Sequence, residues 1–176
     1  MLYKQFKELK LSSLGFGTMR LPLIPGGGEQ DIDQETLDGM VDCAIAGGVN
    51  YFDTAYPYHG GCSELAIGKS LARYPRESFY LADKFPGHQI VKGVKKLDPE
   101  TIFEEQLRKC GVEYFDFYLL HNINEHSMSY YGNPENKYLD YFLEQKANGR
   151  IKHLGFSCHS AAEGLEQFLQ MCGDKM

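Results

Sequence analysis

The sequence predicts an α/β fold in which repeated strand–helix units form a parallel sheet. Short apolar runs alternate along the chain with longer amphipathic segments, which is the pattern of βαβ units. Glycines or Asn-Gly pairs close most of the amphipathic segments, as is typical of helix C-termini. The composition is that of a globular protein, because 43% of the 176 residues are hydrophobic and 24% are charged.

The first elements follow from alternation and from turn residues. Apolar and polar residues alternate at 2–11, which predicts a small N-terminal hairpin. A short strand at 14–18 comes next. The segment 22–28 (PLIPGGG) is too rich in proline and glycine to be anything but a loop. The first helix begins after the predicted N-cap Asp33 and ends at Gly47-Gly48.

The strand–helix unit then repeats along the rest of the chain. Asp98 and Pro99 form a strong helix start, because they suit the N-cap and the first helical position. A long polar loop is predicted at 122–135, and about five βα units can be counted in all. The other predicted strands are residues 50–53, 78–82, 115–120 and 151–156, and the other predicted helices are residues 63–73, 99–110, 136–147 and 161–171.

Charge and cysteine content narrow the function classes. The net charge of −6 argues against a broad nucleic-acid-binding surface, which would need a basic stripe. No apolar run is long enough to span a membrane, and the N-terminus lacks the apolar centre of a signal peptide. Five scattered cysteines without CxxC spacing predict buried or half-buried free thiols and a cytoplasmic protein. These cysteines are Cys43, Cys62, Cys110, Cys158 and Cys172.

Several common site motifs are missing. The pair Gly15 and Gly17 lacks the third glycine of a Rossmann fingerprint and is followed by a loop. The chain has no HExxH, no GxSxG and no phosphate-binding glycine loop. We expect no metal site either, because no spacing supports one among His59, His121, His126 and His159.

Three ionisable residues stand out by position. Asp53, Lys84 and His121 each end an apolar run that we predict to be a strand, and the three strands are consecutive. In a (β/α) barrel, residues at the ends of strands point into the mouth where catalysis takes place. Tyr58 follows Asp53 in the loop after the same strand. Each residue alone is more often structural, but a carboxylate, an ammonium and an imidazole at successive strand ends predict a catalytic cleft.

These four side chains together suit the protonation of an oxygen atom. A phenol has an ordinary pKa near 10, which is too high for an efficient acid at neutral pH. A nearby ammonium such as that of Lys84 would lower the pKa of Tyr58, and the Asp53 carboxylate would hold the ammonium in place. The imidazole of His121 can bind and orient a carbonyl oxygen.

Five segments resemble the aldo-keto reductase family over essentially the whole chain. Residues 53–60 (DTAYPYHG) are similar to the family's D-T-A-x-x-Y-G, and 116–121 (DFYLLH) match its D-x-Y-L-L-H strand. Residues 14–20 (LGFGTMR) resemble the family's opening strand, and 81–84 (LADK) the strand that bears its lysine. Residues 155–159 (GFSCH) stand where many members have G-V-S-N. An inserted-looking His59 is a small departure from the motif.

The resemblance implies a fold of the (β/α)8 TIM-barrel type and an NADPH- or NADH-dependent reduction of a small-molecule carbonyl, without metal or flavin. Tyr58 would be the general acid, Lys84 would lower its pKa, Asp53 would hold Lys84, and His121 would orient the carbonyl. Cys158 replaces a frequent asparagine, which leaves its contact with the cofactor amide open. The cofactor-binding residues implied by the family are Gly17, Thr18, Met19, Asp53, Ser157 and Cys158.

The resemblance also implies an unfinished barrel, because the family has eight strands and about five units are found here. We therefore expect residues 1–176 to be a single partial domain from the N-terminal side of a longer enzyme, inactive alone and able to self-associate through exposed sheet edges. A cofactor-sensing binding or regulatory subunit of the same fold is the alternative. The substrate, the choice between NADPH and NADH, and an iron–sulfur extension stay open.

Overall fold

The computed structural model describes residues 1–92 and 98–176. The described residues form two compact units. The first contains Met1–Ala82 and Arg108–Val112, and the second contains Asp83–Leu107 and Glu113–Met176. The prediction of a single domain stays a prediction, and each unit is considered by itself.

The strands of the first unit follow the predicted order. An antiparallel hairpin joins β1 (Tyr3–Phe6) to β2 (Leu9–Ser12), as the alternation at the N-terminus predicts. Next come β3 (Phe16–Gly17), β4 (Tyr51–Asp53) and the first half of β5 (Tyr80–Phe85). β3 pairs with β4 and β4 pairs with β5, both in parallel.

Two helices and a buried core complete this unit. Helix α1 (Gln34–Ala46) begins where the Asp33 side chain accepts a hydrogen bond from the Thr36 amide at 3.0 Å, which confirms the predicted N-cap. Helix α2 (Ser63–Leu71) follows β4 after a short 3₁₀ turn. The core side chains without exposed surface come from both helices and both inner strands. They include Leu37, Val41, Phe52, Ile67 and Leu81.

The second unit repeats the strand–helix pattern. Helix α3 (Pro99–Cys110) leads to β6 (Phe115–Ile123), which pairs in parallel with β7 (Ile151–Cys158). The Asp98 carboxylate accepts a hydrogen bond from the Thr101 amide at 2.9 Å, so the second predicted N-cap is also confirmed. The remaining helices are α4 (Met128–Tyr131), α5 (Tyr138–Ala147) and α6 (Ala162–Cys172).

Aromatic rings form the core of the second unit. Phe142 of α5 lies 5.0 Å from Phe85 and 4.9 Å from Tyr118, measured between ring centroids. Phe103 of α3 meets Tyr118 edge to face at 5.0 Å. Such contacts add stabilisation beyond the burial of the rings themselves. The helices α3 and α5 are thereby packed against the strands that carry Lys84 and His121.

The five strands β3 to β7 form one sheet in chain order, and the paired strands are parallel. The predicted α/β fold is therefore confirmed. Several predicted strand bounds were wrong. β5 begins two residues later, after a 3₁₀ turn at Arg76–Ser78, and β3 is shorter than predicted. β6 continues past His121 to Ile123, and β7 continues to Cys158. The segment 122–135 was predicted as a polar loop but contains the short helix α4, of which Met128 and Tyr131 are buried.

All five cysteines are free, as expected, although Cys43 is exposed and not buried or half-buried. Its position on the outer face of α1 explains this difference, since the buried residues of that helix are Leu37 and Val41. Among the residues that the structure describes, no helix combines the length and the apolar character needed to cross a bilayer.

Candidate active site

Asp53 ends β4, as predicted, and its backbone is held from the neighbouring strand. Its carbonyl oxygen accepts hydrogen bonds from the Thr18 amide at 2.9 Å and from the Thr18 hydroxyl at 3.0 Å. Gly17 is the strand partner of Asp53. Three of the predicted site residues, Gly17, Thr18 and Asp53, are thus brought together in the first unit.

A buried network of hydroxyl groups supports this strand end. The Ser63 hydroxyl at the start of α2 donates to the Thr18 hydroxyl at 2.7 Å and lies 3.0 Å from the Thr54 hydroxyl. All three side chains have no exposed surface. Buried networks in which each member is hydrogen-bonded rigidify their surroundings. The first residue of α2 is therefore linked to the Asp53 carbonyl through Thr18, and it also contacts Thr54, the residue after Asp53.

Tyr58 begins the 3₁₀ turn Tyr58–Gly61, and its side chain is half-buried. Its amide donates to the Ala55 carbonyl oxygen at 3.1 Å, which closes the turn after β4. The next residue, His59, has a φ of 53°, a left-handed backbone that non-glycine residues rarely adopt. Tight geometry therefore holds the proposed acid in its turn.

His59 provides the anchor for this turn. Its Nε2 accepts a hydrogen bond from the Leu21 amide at 2.9 Å, so the neutral ring carries its proton on Nδ1 and donates to the Glu29 carbonyl oxygen at 2.8 Å. The side chain is buried. The sequence marks His59 as a departure from the family motif and gives no sign of a structural role. The structure shows that it joins the loop after β3 to the turn that carries Tyr58.

An ion pair lies behind the same turn. Glu64 is fully buried, and its carboxylate accepts a hydrogen bond from the Lys109 ammonium at 3.0 Å. The ammonium also lies 4.5 Å from the centre of the Tyr56 ring. Since the side chain of Lys109 is only 15% exposed, the pair is largely shielded from water. It joins α2 to the end of α3 within the first unit.

Lys84 lies in β5, one residue before its end, and its side chain is 5% exposed. Its amide is 2.7 Å from the carboxylate of Asp83, to which it donates. Its carbonyl oxygen accepts from the Gln106 side-chain amide at 3.2 Å, and Gln106 in turn accepts from the Tyr118 hydroxyl at 2.5 Å. The backbone of Lys84 is thus fixed by a buried chain from α3 and β6.

His121 is buried inside β6, and its surroundings favour the neutral ring. Burial is the main cause that lowers the pKa of His121 to about 3, and electrostatic interactions with His88, Lys84 and His159 act in the same direction. The ring of His88 meets the ring of His121 edge to face, with 4.7 Å between centroids. A neutral imidazole has one donor and one acceptor nitrogen and can donate a hydrogen bond to a carbonyl oxygen without carrying charge.

The end of β6 is irregular beside the predicted cofactor residues. Asn122 has a φ of 62°, and the register with β7 shifts between Leu120 and Ile123. The Ser157 hydroxyl accepts a hydrogen bond from the Asn122 amide at 2.8 Å, which leaves its own proton available to a ligand. Cys158 is the last residue of β7 and pairs with Ile123. His121 and Ser157 are therefore near neighbours in the second unit.

The predicted residues thus divide between the two units. Asp53 and Tyr58 belong to the first unit, and Lys84 and His121 belong to the second. Met19 is exposed, whereas the Thr18 side chain is fully used in the buried network. Within residues 1–92 and 98–176, no three His, Cys, Asp or Glu side chains lie close enough together to hold a metal ion.

Comparison with known families decides the relationship. The model of the aldo/keto reductase family matches residues 13–174, which is most of the chain. The chain belongs to the aldo/keto reductase family. Its parallel sheet is accordingly part of a family fold of the TIM-barrel type.

Relatives of known or assigned activity support the same grouping. The chain is 28% identical over 180 residues to the NADH-specific methylglyoxal reductase of Escherichia coli, covering 93% of this chain and 53% of that protein. It is also 28% identical to probable aldo-keto reductase 1 of Glycine max, covering 84% of this chain and 42% of that protein. The chain spans about half the length of the curated relatives that it matches.

Solved structures agree with the fold. The holo form of an aldo-keto reductase from Bacillus halodurans superposes with a TM-score of 0.71 at 26% identity, covering 97% of this chain and 54% of that one. An aldo-keto reductase from Klebsiella pneumoniae in complex with NADPH has a TM-score of 0.71 at 21% identity, covering 99% and 56%. At that lower identity the second likeness concerns the fold alone.

Proposed function

We propose that the protein containing this chain is an NADPH- or NADH-dependent oxidoreductase that reduces an aldehyde or ketone to an alcohol. The observation that carries this proposal is the presence of Asp53, Tyr58, Lys84 and His121 at the family's motif positions. Asp53 ends β4, Lys84 lies near the end of β5 and His121 near the end of β6. Those strand ends are where this fold does its chemistry.

In this proposal Tyr58 is the general acid that gives its phenolic proton to the carbonyl oxygen. The Lys84 ammonium stabilises the phenolate that is left behind, and the Asp53 carboxylate holds the ammonium in place. Burial of Lys84 at 5% exposure supports this role, because a charge in a dry environment acts more strongly on a neighbour than one in water. The rigid network around Asp53 supports the second role.

His121 orients the carbonyl group in this proposal. Because burial keeps its imidazole neutral, the ring can donate one hydrogen bond to the substrate oxygen and does not compete with Tyr58 as a proton source. The proton on the carbonyl therefore comes from the phenol. A neutral donor also fixes the direction of the carbonyl without binding it as an ion would.

Gly17 and Ser157, each considered within its own unit, have features that suit contact with the nicotinamide end of a dinucleotide. A Cβ placed on Gly17 would meet nothing within 4 Å, so a planar ring can approach the backbone there. The Ser157 hydroxyl accepts from Asn122 and keeps its proton for a carboxamide oxygen. A bound nicotinamide cofactor supplies the hydride that reduces the carbonyl carbon. One relative is named as NADH-specific, and the resemblance to the family leaves the choice between NADPH and NADH open, so both cofactors belong in the test.

The test replaces Tyr58 by phenylalanine in the complete gene product and follows cofactor oxidation with a panel of aldehydes and ketones. We expect kcat to fall by about 100-fold or more, because general acid catalysis contributes that much. Cofactor affinity should be nearly unchanged. The control is Tyr74→Phe, since Tyr74 is a surface residue whose hydroxyl binds Asp42.

A retained rate in Tyr58→Phe would remove Tyr58 from the mechanism. Cofactor binding without turnover of any carbonyl in the panel would instead support the interpretation as a cofactor-sensing subunit.

A further inference from the structure

The hydroxyl of Tyr131 hydrogen-bonds to the backbones of the two strands that carry Lys84 and His121. Tyr131 is the last residue of α4, and its side chain is 3% exposed. Its hydroxyl lies 2.8 Å from the carbonyl oxygen of His121 and 3.1 Å from the carbonyl oxygen of Phe85, the residue after Lys84. A hydroxyl has a single hydrogen, so the two backbone acceptors share it.

The contact falls where the backbone of β6 is irregular. Asn122 is in the left-handed region, and the register between β6 and β7 shifts after Leu120. At this point Tyr131 supplies a hydrogen-bond donor from α4 to the backbone carbonyl oxygen of His121. The same hydroxyl reaches the last residue of β5. It therefore acts on both strand ends at once.

The ring of Tyr131 has little freedom to move. A Cβ placed on Gly87 would lie 2.5 Å from the nearest ring atom, so the ring rests directly on the backbone after β5. It also meets the ring of Phe85 edge to face, at 6.4 Å between centroids. Burial raises the pKa of the Tyr131 hydroxyl above its ordinary value, so the hydroxyl keeps its hydrogen and stays a donor.

We propose that Tyr131 is a positioning residue for the reaction: its hydroxyl fixes the backbones of His121 and Phe85, and so aligns the imidazole and the ammonium that β6 and β5 carry. This inference rests on the proposed function, because it assigns Lys84 and His121 their roles in carbonyl reduction. The hydroxyl of Tyr131 bonds to backbone oxygens of the two strands, so it acts through Lys84 and His121. Misplacement of reacting groups by about 1 Å can cost about 100-fold in rate.

The first test is Tyr131→Phe, which removes one oxygen atom and keeps the ring on Gly87. We expect kcat to fall about 10-fold, whereas KM and the cofactor dissociation constant stay within about 2-fold, since the alignment of existing groups changes and their number does not. The matched control is Tyr130→Phe. Tyr130 is the neighbouring tyrosine, and its hydroxyl bonds to the hydroxyl of Tyr138 in α5. The control should keep the wild-type kcat.

A second variant leaves the hydroxyl in place. Gly87→Ala puts a methyl group against the Tyr131 ring and should push it off the strand ends, with a loss of kcat similar to that of Tyr131→Phe. All rates are measured at a temperature at which circular dichroism shows each variant to be folded. A partial loss of folding would also lower the apparent kcat and leave KM unchanged, because less active enzyme would be present. It would not shift the NMR signals of the molecules that remain folded, so the spectra separate the two causes.

The decisive readout does not depend on activity. In ¹H–¹⁵N spectra of the histidine rings, Tyr131→Phe should shift the His121 signals, and Tyr130→Phe should leave them in place. Wild-type kcat in Tyr131→Phe, or unshifted His121 signals, overturns the inference even when the wild type reduces carbonyls. If the wild type reduces no carbonyl, the proposed function fails. The spectra then still test the contact itself: shifted His121 signals in Tyr131→Phe mean that Tyr131 fixes this part of β6, and unshifted signals mean that it does not.

Discussion

The chemistry of this chain depends on a few side chains whose surroundings alter their ordinary behaviour. His121 shows this most clearly, because burial and, to a lesser extent, its electrostatic neighbours lower its pKa to about 3. In an unfolded chain the same imidazole titrates near pH 6.5. The folded state therefore excludes a proton that the unfolded state binds at mildly acidic pH.

This difference predicts how stability depends on pH. Above pH 6.5 the ring is neutral in both states and contributes no pH dependence. As the pH falls below 6.5, only the unfolded state takes up the proton, and stability decreases by about 1.4 kcal/mol per pH unit until the pH approaches 3. Between pH 7.5 and 5, His121 should therefore account for a loss of about 2 kcal/mol.

The measurement is urea unfolding of the wild type and of His121→Gln over that pH range. The glutamine variant lacks the titrating group, so the difference between the two curves isolates His121 from the other histidines. The prediction fails if both proteins lose the same stability between pH 7.5 and 5.

His59 is a buried histidine with a structural role, which its hydrogen bonds define. One ring nitrogen accepts from Leu21 and the other donates to Glu29, so both hydrogen-bonding groups are used in a buried place. Sequence reasoning grouped His59 with three other histidines as a candidate metal ligand without supporting spacing. Leu21 and Glu29 lie 38 and 30 residues before His59 in the sequence. The residues around His59 therefore could not reveal these hydrogen bonds.

At the scale of elements, α2 is packed closely against the end of α3. A Cβ on Gly68 would lie 2.7 Å from the carbonyl oxygens of Lys109 and Cys110. We therefore expect Gly68→Ala to destabilise the protein by about 1–3 kcal/mol, as overpacking does. The control is Gly39→Ala in α1, where nothing lies within 4 Å of the new methyl group.

Gly39→Ala should instead raise the free energy of unfolding, because alanine stabilises an exposed helix by about 0.5–1 kcal/mol relative to glycine. Thermal and urea unfolding of both variants would check this. Equal effects of the two substitutions would contradict the close approach of α2 to the end of α3.

The same two helices share the ion pair of Glu64 and Lys109. Removing one member of a buried pair leaves the other charge without compensation, at a cost of about 3 kcal/mol. We therefore expect Glu64→Gln to lower the free energy of unfolding by about that amount. A suitable comparison is Glu104→Gln, because Glu104 and Arg150 form an exposed ion pair with a contact of 2.6 Å. An exposed pair contributes about 1 kcal/mol or less.

Both variants are measured by urea unfolding, and Lys109→Met in the wild type and in Glu64→Gln gives the coupling energy of the buried pair. If Glu64→Gln lowered the free energy of unfolding no more than Glu104→Gln does, burial would not explain the stabilisation by the Glu64–Lys109 pair.

At the scale of the whole molecule, the sequence predicted the order of the elements well. Periodicity and N-caps such as Asp33 and Asp98 act within one or two turns, so they can be read directly from neighbouring residues. Family motifs identified the candidate site for the same reason, since each motif is short and lies at one strand end. Boundaries were less accurate where pairing with another strand extended the element, as in β6 and β7.

The sequence by itself determined the alternating α/β fold, the family and four candidate catalytic residues, because these depend on local patterns. The tertiary structure alone decided three features around them. It placed Tyr131, from a segment that reads as a polar loop, against the ends of β5 and β6. It buried His121 and so kept the ring neutral, and it paired Glu64 with Lys109. Each of these three features depends on residues that are distant in the chain. Burial strengthens the electrostatic interactions involved, and it arises only when the helices and strands pack together.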